Sequence, residues 1–285
     1  MPFYPTRPLN LSFELFPPKS SAAEEAMYDS VKHLMAFQPD VITCTYGAGG
    51  STRDKTLEIT HQVRQRFGVR VASHLTCVGS TVDDLRGYLR EAGGRGIENV
   101  VALRGDPPKG QTEFTPTAGG FCYAAELVAM IREEFPSLSI AVAGYPETHQ
   151  EAVSPHADLE NLRRKVAAGG DCVITQLFYD NADFFRFRDR CRELDIRVPI
   201  VPGILPVTNL AQIQRITALC KAKLPDDFIA ELSSQDDAES QFQAGVRQAT
   251  RQVQELIDAG VPGIHFYVLN KSPATAAVLS AVKRP

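Results

Sequence analysis

A glutamate stands inside the apolar run LSFELFPP, residues 11–18, and a carboxylate in such surroundings can do chemistry that an exposed one cannot. Read as a strand with a period of two, the run puts Leu11, Phe13 and Leu15 on one face and Ser12, Glu14 and Phe16 on the other, before Pro17 and Pro18 end it. An ionised carboxylate without a partner is costly to bury, so Glu14 needs a counter-charge or a raised pKa that leaves it a neutral acid. Its neighbours Phe13, Leu15, Phe16 and Pro17 favour the neutral form, while Arg104 is an available partner for a plain buried ion pair.

Other polar residues close apolar runs in the same way: Thr45 with Tyr46, His74 with Thr76, Arg104 with Asp106, Tyr145 with Glu147 and His149, Gln176, and Tyr267 with Asn270. Each has a plain structural alternative. Arg104 and Asp106 can pair with each other, His74 can be a satisfied core histidine, and the tyrosines can pack with their hydroxyls at a rim. Gln176 is harder to explain by packing, since a buried primary amide needs several partners and a planar heterocycle supplies them.

The loops and helices add weaker signals. GAGGST, residues 47–52, resembles the start of a dinucleotide fingerprint, but Thr52 takes the place of the last glycine and no acidic residue ends the next strand. Its backbone amides can cradle a phosphate or simply make a tight loop. GDPPKGQT is no P-loop, because its lysine precedes the second glycine. In DLENLRRKV, Asp158, Asn161 and Lys165 fall at i, i+3 and i+7 with Arg164 beside them, a face for a polyphosphate or an ordinary solvated surface. The Pro-, Gly- and Thr-rich stretch from Pro107 to Gly120 has the length of a lid or of a merely flexible loop. No lysine ends any of the first six strands, which weighs against Schiff-base chemistry, and no His and carboxylate cluster has metal spacing.

The elements that must position these residues alternate. Strand-like runs begin at LSFELF (11), VITCTY (41), VASHLTC (71), ENVVALRG (98), SIAVAGYP (139), CVITQLF (172), PIVPGILP (199) and GIHFYVLN (263), with helical periodicity between them, as in RDKTLEITHQVRQRF and ADFFRFRDRCREL. Glycines in EAGGRG, AAGGD and DAGVPG read as helix ends feeding the next strand. Eight such units in 285 residues predict a (β/α)8 TIM barrel of one domain, with a doubly wound sheet as the rival. The interval from 206 to 263 is the widest and predicts extra helical turns around LPDDFIAELSSQDDAES. In a barrel, the polar residues named above all sit at the carboxyl ends of strands, where such folds place their sites.

With 44% hydrophobic and 22% charged residues the composition is that of a globular protein, and a net charge of -4 gives no reason to expect nucleic acid or an anionic membrane as partner. Six cysteines at 44, 77, 122, 172, 191 and 220 make no CxxC pair and read as reduced thiols. The opening MPFYPTRPLN has no apolar signal core, and no run approaches the length of a membrane span, so a cytoplasmic protein is expected.

Taken together, SFELFPPK, TYGAGGSTRD, HLTC, VALRGDPP, YPETHQEA, DLENLRRKVAAGGDCVITQLFYD, PGILPVTN and HFYVLNKS resemble the catalytic barrel of the methylenetetrahydrofolate reductase family, in family order from about residue 11 to 272. The resemblance implies a barrel over residues 1–285 that binds FAD, takes hydride from NADH or NADPH and delivers it to a folate on the same flavin face, without a regulatory domain. It leaves a homo-oligomer open. It implies Glu14 as general acid and Asp106 as the carboxylate beside the flavin. FAD and dinucleotide contacts are expected at Thr45, Tyr46, Ala48, His74, Arg104, Gly105, Asp106, Ala124, Tyr145, His149, Asp158, Asn161, Arg164 and Lys165. Folate contacts are expected at Asp106, Gln176, Gln212, Tyr267 and Lys271.

Two positions depart from the family pattern. Lys271 stands where relatives commonly have arginine, and a lysine cannot make the same two-pronged contact with a carboxylate. Ile216 replaces an aromatic residue found near the ligand in some relatives. On this reading Glu14 is kept protonated by its apolar setting and gives its proton to the departing ring nitrogen of the folate. The rival readings are a pterin-binding methyltransferase barrel, which needs no flavin, and a non-catalytic flavin or folate carrier.

Overall fold

The alternation read in the runs sorts strand residues onto two sides of a closed wall. The computed structural model describes residues 2–46, 53–107, 110–111 and 113–285. Among them are the eight parallel strands β1 (Asn10–Leu15), β2 (Val41–Cys44), β3 (Arg70–Thr76), β4 (Asn99–Leu103), β5 (Ser139–Gly144), β6 (Cys172–Leu177), β7 (Ile200–Ile204) and β8 (Gly263–Tyr267). They pair in sequence order, and β8 pairs with β1, with Ser12 opposite His265 and Glu14 opposite Tyr267. This is the expected (β/α)8 barrel, and it forms one domain.

One parity of each strand turns outward. Leu11, Phe13 and Leu15 of β1 join Ile42, Val100, Ile140 and Val173 in a core shared with the surrounding helices, where each fully buried aliphatic side chain contributes roughly 1.5–3 kcal/mol. The other parity, Val41, Ala72, Val101, Ala141, Cys172, Ile174 and Val201, fills the barrel interior near the strand beginnings. Phe3 and Tyr4, ahead of β1, pack into that interior cluster at 1% and 7% exposure. The apolar strand beginnings expected from the sequence are thus a plug, and the polar side chains lie above it.

The covering helices are α1 (Ser21–Leu34), α2 (Arg53–Phe67), α3 (Val82–Gly94), α4 (Ala124–Glu134), α5 (Pro155–Ala167) and α6 (Asn181–Glu193). The long last interval holds α7 (Leu210–Cys220), α8 (Asp226–Ser233) and α9 (Ala238–Asp258), and α10 (Pro273–Ala281) follows β8. The extra turns bury Leu205, Val207, Ile213, Phe228 and Leu232 beside Leu177 and Tyr179. Local chemistry fixes the helix that matters most for the site: Ser154 caps α5 by accepting from the Ala157 N–H, and Pro155 starts its first turn. Gly96 (φ 73°) and Gly260 (φ 71°) end the segments after α3 and α9 in the left-handed region, as expected from their helix-terminal positions.

Among the described residues no helix is long and apolar enough to cross a membrane, and no group of three His, Cys, Asp or Glu is placed to hold a metal ion. GAGGST, including Ala48, lies outside the described residues, as do Pro108, Lys109 and Thr112 of the expected lid.

Candidate active site

Above the plug, the inward residues of β1, β3 and β8 meet across the barrel. Glu14 Oε2 lies 3.2 Å from His74 Nε2 and 3.4 Å from His265 Nε2. The His74 contact is at ion-pair range but lacks hydrogen-bond geometry, and neither His74 nitrogen has a hydrogen-bond partner among the described residues. His265 is fully buried; its Nδ1 is 2.8 Å from Ser12 Oγ, which is 2.8 Å from the Tyr4 hydroxyl. The result is a column from the plug to the carboxylate, Tyr4, Ser12, His265, Glu14.

This corrects the expectation that Glu14 is a neutral acid in an apolar pocket. Burial pushes its carboxyl up, but the two imidazoles outweigh burial and hold it at about 2. The apolar neighbours that suggested a raised value do not surround the carboxylate, because Phe13 and Leu15 face the helices and Phe16 is 37% exposed. Nor does Arg104 serve as its partner: that guanidinium pairs with Glu151 at 2.8 Å and lies over the Phe114 ring.

A second cluster forms where β4, β5 and α5 meet. The Asp158 carboxylate accepts from the His149 N–H at 2.9 Å, the rings of Tyr145 and His149 meet edge to face at 4.6 Å, and Lys165 Nζ donates to the Ala143 carbonyl at 2.5 Å. Burial, reinforced by the charge of Arg104 and opposed by Asp158, brings the Lys165 ammonium down to about 8. Burial and the same guanidinium also lower His149. Gly105 turns beside Arg104 at φ 89°, where a Cβ would sit 2.6 Å from the Val78 side chain, so the loop passes there only as glycine. Two crowded cations and a tightly turned backbone form a cradle that an anion would relieve.

The third group lies toward β6, β7 and α7. The β6–β7 register shifts by one residue between Ile174 and Leu177, and Gln176 sits at this bulge with its Oε1 accepting from the Leu177 N–H. The Tyr267 hydroxyl donates to the Thr175 carbonyl at 2.7 Å. Gln212 lies in the first turn of α7, capped by Asn209 and hydrogen-bonded to Thr208. Glu147 reaches to this side and accepts from the Lys223 N–H at 2.8 Å; burial raises its carboxyl.

Not every expected residue joins a cluster. Thr45 continues from β2, its N–H donating to the Leu15 carbonyl, and the Tyr46 hydroxyl is tied to the Thr76 backbone at the end of β3. Ala124 is buried at the start of α4. Asp106 is exposed on the rim beside Tyr145, while Asn161, Arg164 and Lys271 are exposed. Sequence reasoning missed His265, Ser12 and Tyr4 as parts of the site. A signal existed for two of them: Ser12 is two residues before Glu14, and His265 two before Tyr267, so period two places each pair on one face.

The geometry supports proton handling at Glu14 and anion binding at the β4–β5–α5 cradle. Known proteins bear on the family. The family model described as Methylenetetrahydrofolate reductase matches residues 5–283. The 5,10-methylenetetrahydrofolate reductase of Escherichia coli is 40% identical over 95% of this chain and 89% of its own length. A Zea mays protein named Methylenetetrahydrofolate reductase (NADH) 1 is 38% identical over 94% of this chain but 47% of its own length, so the chain spans about half the length of such plant relatives. A solved structure of an uncharacterized protein from Clostridium thermocellum that binds two copies of 5-methyl-5,6,7,8-tetrahydrofolic acid shares the barrel with a TM-score of 0.62, covering 96% of this chain and 93% of that one at 12% identity. With 279 of its 285 residues within the family match, this chain belongs to the methylenetetrahydrofolate reductase family.

Proposed function

We propose that residues 1–285 form one catalytic barrel that reduces 5,10-methylenetetrahydrofolate to 5-methyltetrahydrofolate. NADH is the electron source and FAD the carrier, with dinucleotide and folate taking the same mouth in turn. The observation that carries the reading is Glu14, an inward carboxylate gripped by two imidazoles at the polar end of a barrel of this family. The plant relatives named for NADH support that dinucleotide.

The residues present fit FAD. Among the described residues the Lys165 ammonium donates to the Ala143 carbonyl, with the Asp158 carboxylate and the Arg104 guanidinium nearby, so a pyrophosphate would take up its remaining donors and offset the second cation. Arg104, Gly105, Tyr145, His149, Asp158 and Lys165 would hold it, with Thr45, Tyr46, His74, Ala124, Asn161 and Arg164 assigned to the same ligand or to the dinucleotide. Bound FAD supplies two-electron hydride chemistry. Glu14, ionised in the resting site, takes up a proton from solvent at the barrel mouth and passes it to the departing nitrogen of the folate's five-membered ring, and the ring opens to an iminium cation. Asp106, at the rim, stabilises that cation electrostatically. Gln176, Gln212 and Tyr267 orient the folate, and Lys271 meets its glutamate tail as a point charge.

The purified protein's visible spectrum tests this. A flavin band should bleach with NADH under anaerobic conditions and return on adding methylenetetrahydrofolate. A protein that stays colourless after reconstitution with FAD, or a bleached one that the folate does not recolour, would defeat the reading.

Lys165 allows a separate check on the cradle. Its folded pKa lies below the ordinary lysine value, so in the free protein the ammonium loses its proton above about pH 8, whereas an anion needs it charged. Calorimetry of FAD binding in two buffers of different ionisation heat should show about one proton taken up per FAD near pH 9 and almost none near pH 7. In Lys165→Met the uptake should vanish and affinity fall. Equal uptake in the variant would remove Lys165 from the cradle.

A further inference from the structure

The opposite end of the barrel has a cavity of its own. At the strand beginnings, about 280 Å³ of space opens between the turn from α2 into β3 and the turn from α3 into β4. Arg64 in the last turn of α2, Arg70 at the start of β3, and Glu98 and Asn99 where β4 begins line it, with Gly68 and Gly96 in the two turns. None of the residues assigned to folate, FAD or dinucleotide lies here.

The two arginines are held in different ways. Arg70 Nη2 donates to the Pro2 carbonyl at 2.7 Å and to Asn99 Oδ1 at 3.3 Å, and the Asn99 amide is tied in turn to the Val71 carbonyl at 2.9 Å. Its Nε and Nη1 have no acceptor among the described residues. Arg64 is half-buried, and its guanidinium makes no hydrogen bond or ion pair among the described residues. It lies against Gly96, where a Cβ would stand 2.9 Å from Nη1 and 3.1 Å from Cζ, so that glycine, at φ 73°, leaves the space the guanidinium fills. Glu98, the carboxylate in the lining, is exposed and pairs with neither arginine among the described residues.

A guanidinium is always charged and carries five N–H donors in a planar fork. Water can satisfy such donors, but two like charges facing one cavity also call for an anion between them. An oxyanion meets both needs, and arginine forks match the geometry of a phosphoryl group. Two cations favour a dianion, which a phosphate monoester approaches at neutral pH and a single carboxylate does not. The space approaches that of small-molecule sites, so it takes more than the phosphoryl group alone.

We infer that this cavity binds a phosphate monoester, whose phosphoryl oxygens take the Arg64 and Arg70 forks and whose organic part fills the rest of the space. Arg70 also holds the Pro2 carbonyl, directly ahead of the Phe3 and Tyr4 plug, so a bound phosphate steadies the side chain that anchors the plug.

Titration calorimetry tests this on protein saturated with FAD, whose β4–β5–α5 cradle is then filled, with inorganic phosphate and ribose 5-phosphate as probes. Both should bind saturably with a Kd of about 1 mM or below. Dimethyl phosphate, a monoanion of similar shape, should bind several-fold more weakly than either. Arg64→Gln and Arg70→Gln should each weaken both probes about tenfold or more. Arg66→Gln, in the same helical turn but over the Tyr28 ring and outside the cavity, should leave them unchanged. The Arg64→Gln holoenzyme should keep the kcat and KM of the parent. Absence of saturable phosphate binding, or equal affinities in the parent and Arg64→Gln proteins, would overturn the proposal. Binding of inorganic phosphate with exclusion of ribose 5-phosphate would overturn the assignment to an ester.

Discussion

Glu14→Gln should lower the rate of the folate half-reaction by roughly 10²–10⁴-fold, the span general acid catalysis usually supplies, while NADH oxidation stays within a few-fold of normal. Glutamine keeps the shape and the oxygen that faces His265 but cannot deliver a proton. Anaerobic stopped-flow separates the half-reactions, and an unimpaired folate step would remove Glu14 from its role. The same variant has a stability signature. Because the folded carboxyl sits at about 2 against an ordinary 4.5, the pairing stabilises the fold fully above about pH 4.5 and loses that contribution as pH falls through about 2. The shift corresponds to at most about 3 kcal/mol at neutral pH, so the Gln variant should lag the parent protein in denaturation at pH 7 and approach it near pH 2. Equal midpoints at pH 7 would mean that the imidazoles do not hold a charged carboxylate.

Gly203→Ala should be the most damaging small substitution inside the barrel. A Cβ there would lie 2.2 Å from the Thr175 carbonyl oxygen and 2.7 and 2.9 Å from Tyr267 Cε2 and its hydroxyl. The first contact is backbone and cannot yield cheaply, and the Thr175 carbonyl is also the acceptor of the Tyr267 hydroxyl. Tyr267 must move or β6 and β7 must part. Overpacking of this kind, with one buried hydrogen bond lost, costs about 3 kcal/mol or more, a fall in Tm of roughly 5–10 °C for a domain of this size. The KM for folate should rise more than that for NADH, because Tyr267 is assigned to the folate. A Tm within a degree of the parent would show that the barrel relaxes around the methyl group.

The strands, the barrel and the clustering of polar residues at strand ends were legible because period-two alternation and helix punctuation are local properties of the chain. The partners of those residues were not. Glu14 meets His265 across 251 positions of sequence, and its ionisation is set by β3 and β8 rather than by the phenylalanine and leucine beside it. Arg104 likewise finds Glu151 on a distant loop. Asp158 and Lys165 were legible as one helical face, and the structure adds that the lysine turns inward to a carbonyl while Asn161 and Arg164 stay in solvent. The β6 bulge beside Gln176 has no local signature of its own, since an extra residue in one strand is defined only against its neighbour.

Phe3 and Tyr4 stop the barrel from below, and this confines traffic as well as packing. With the lower opening filled by two aromatic rings, the Glu14 side chain keeps its 18% exposure at the polar end of the barrel. On the proposed function, a folate covering that side would cut Glu14 off from bulk water, so the carboxylate would have to take up its proton before the folate seats.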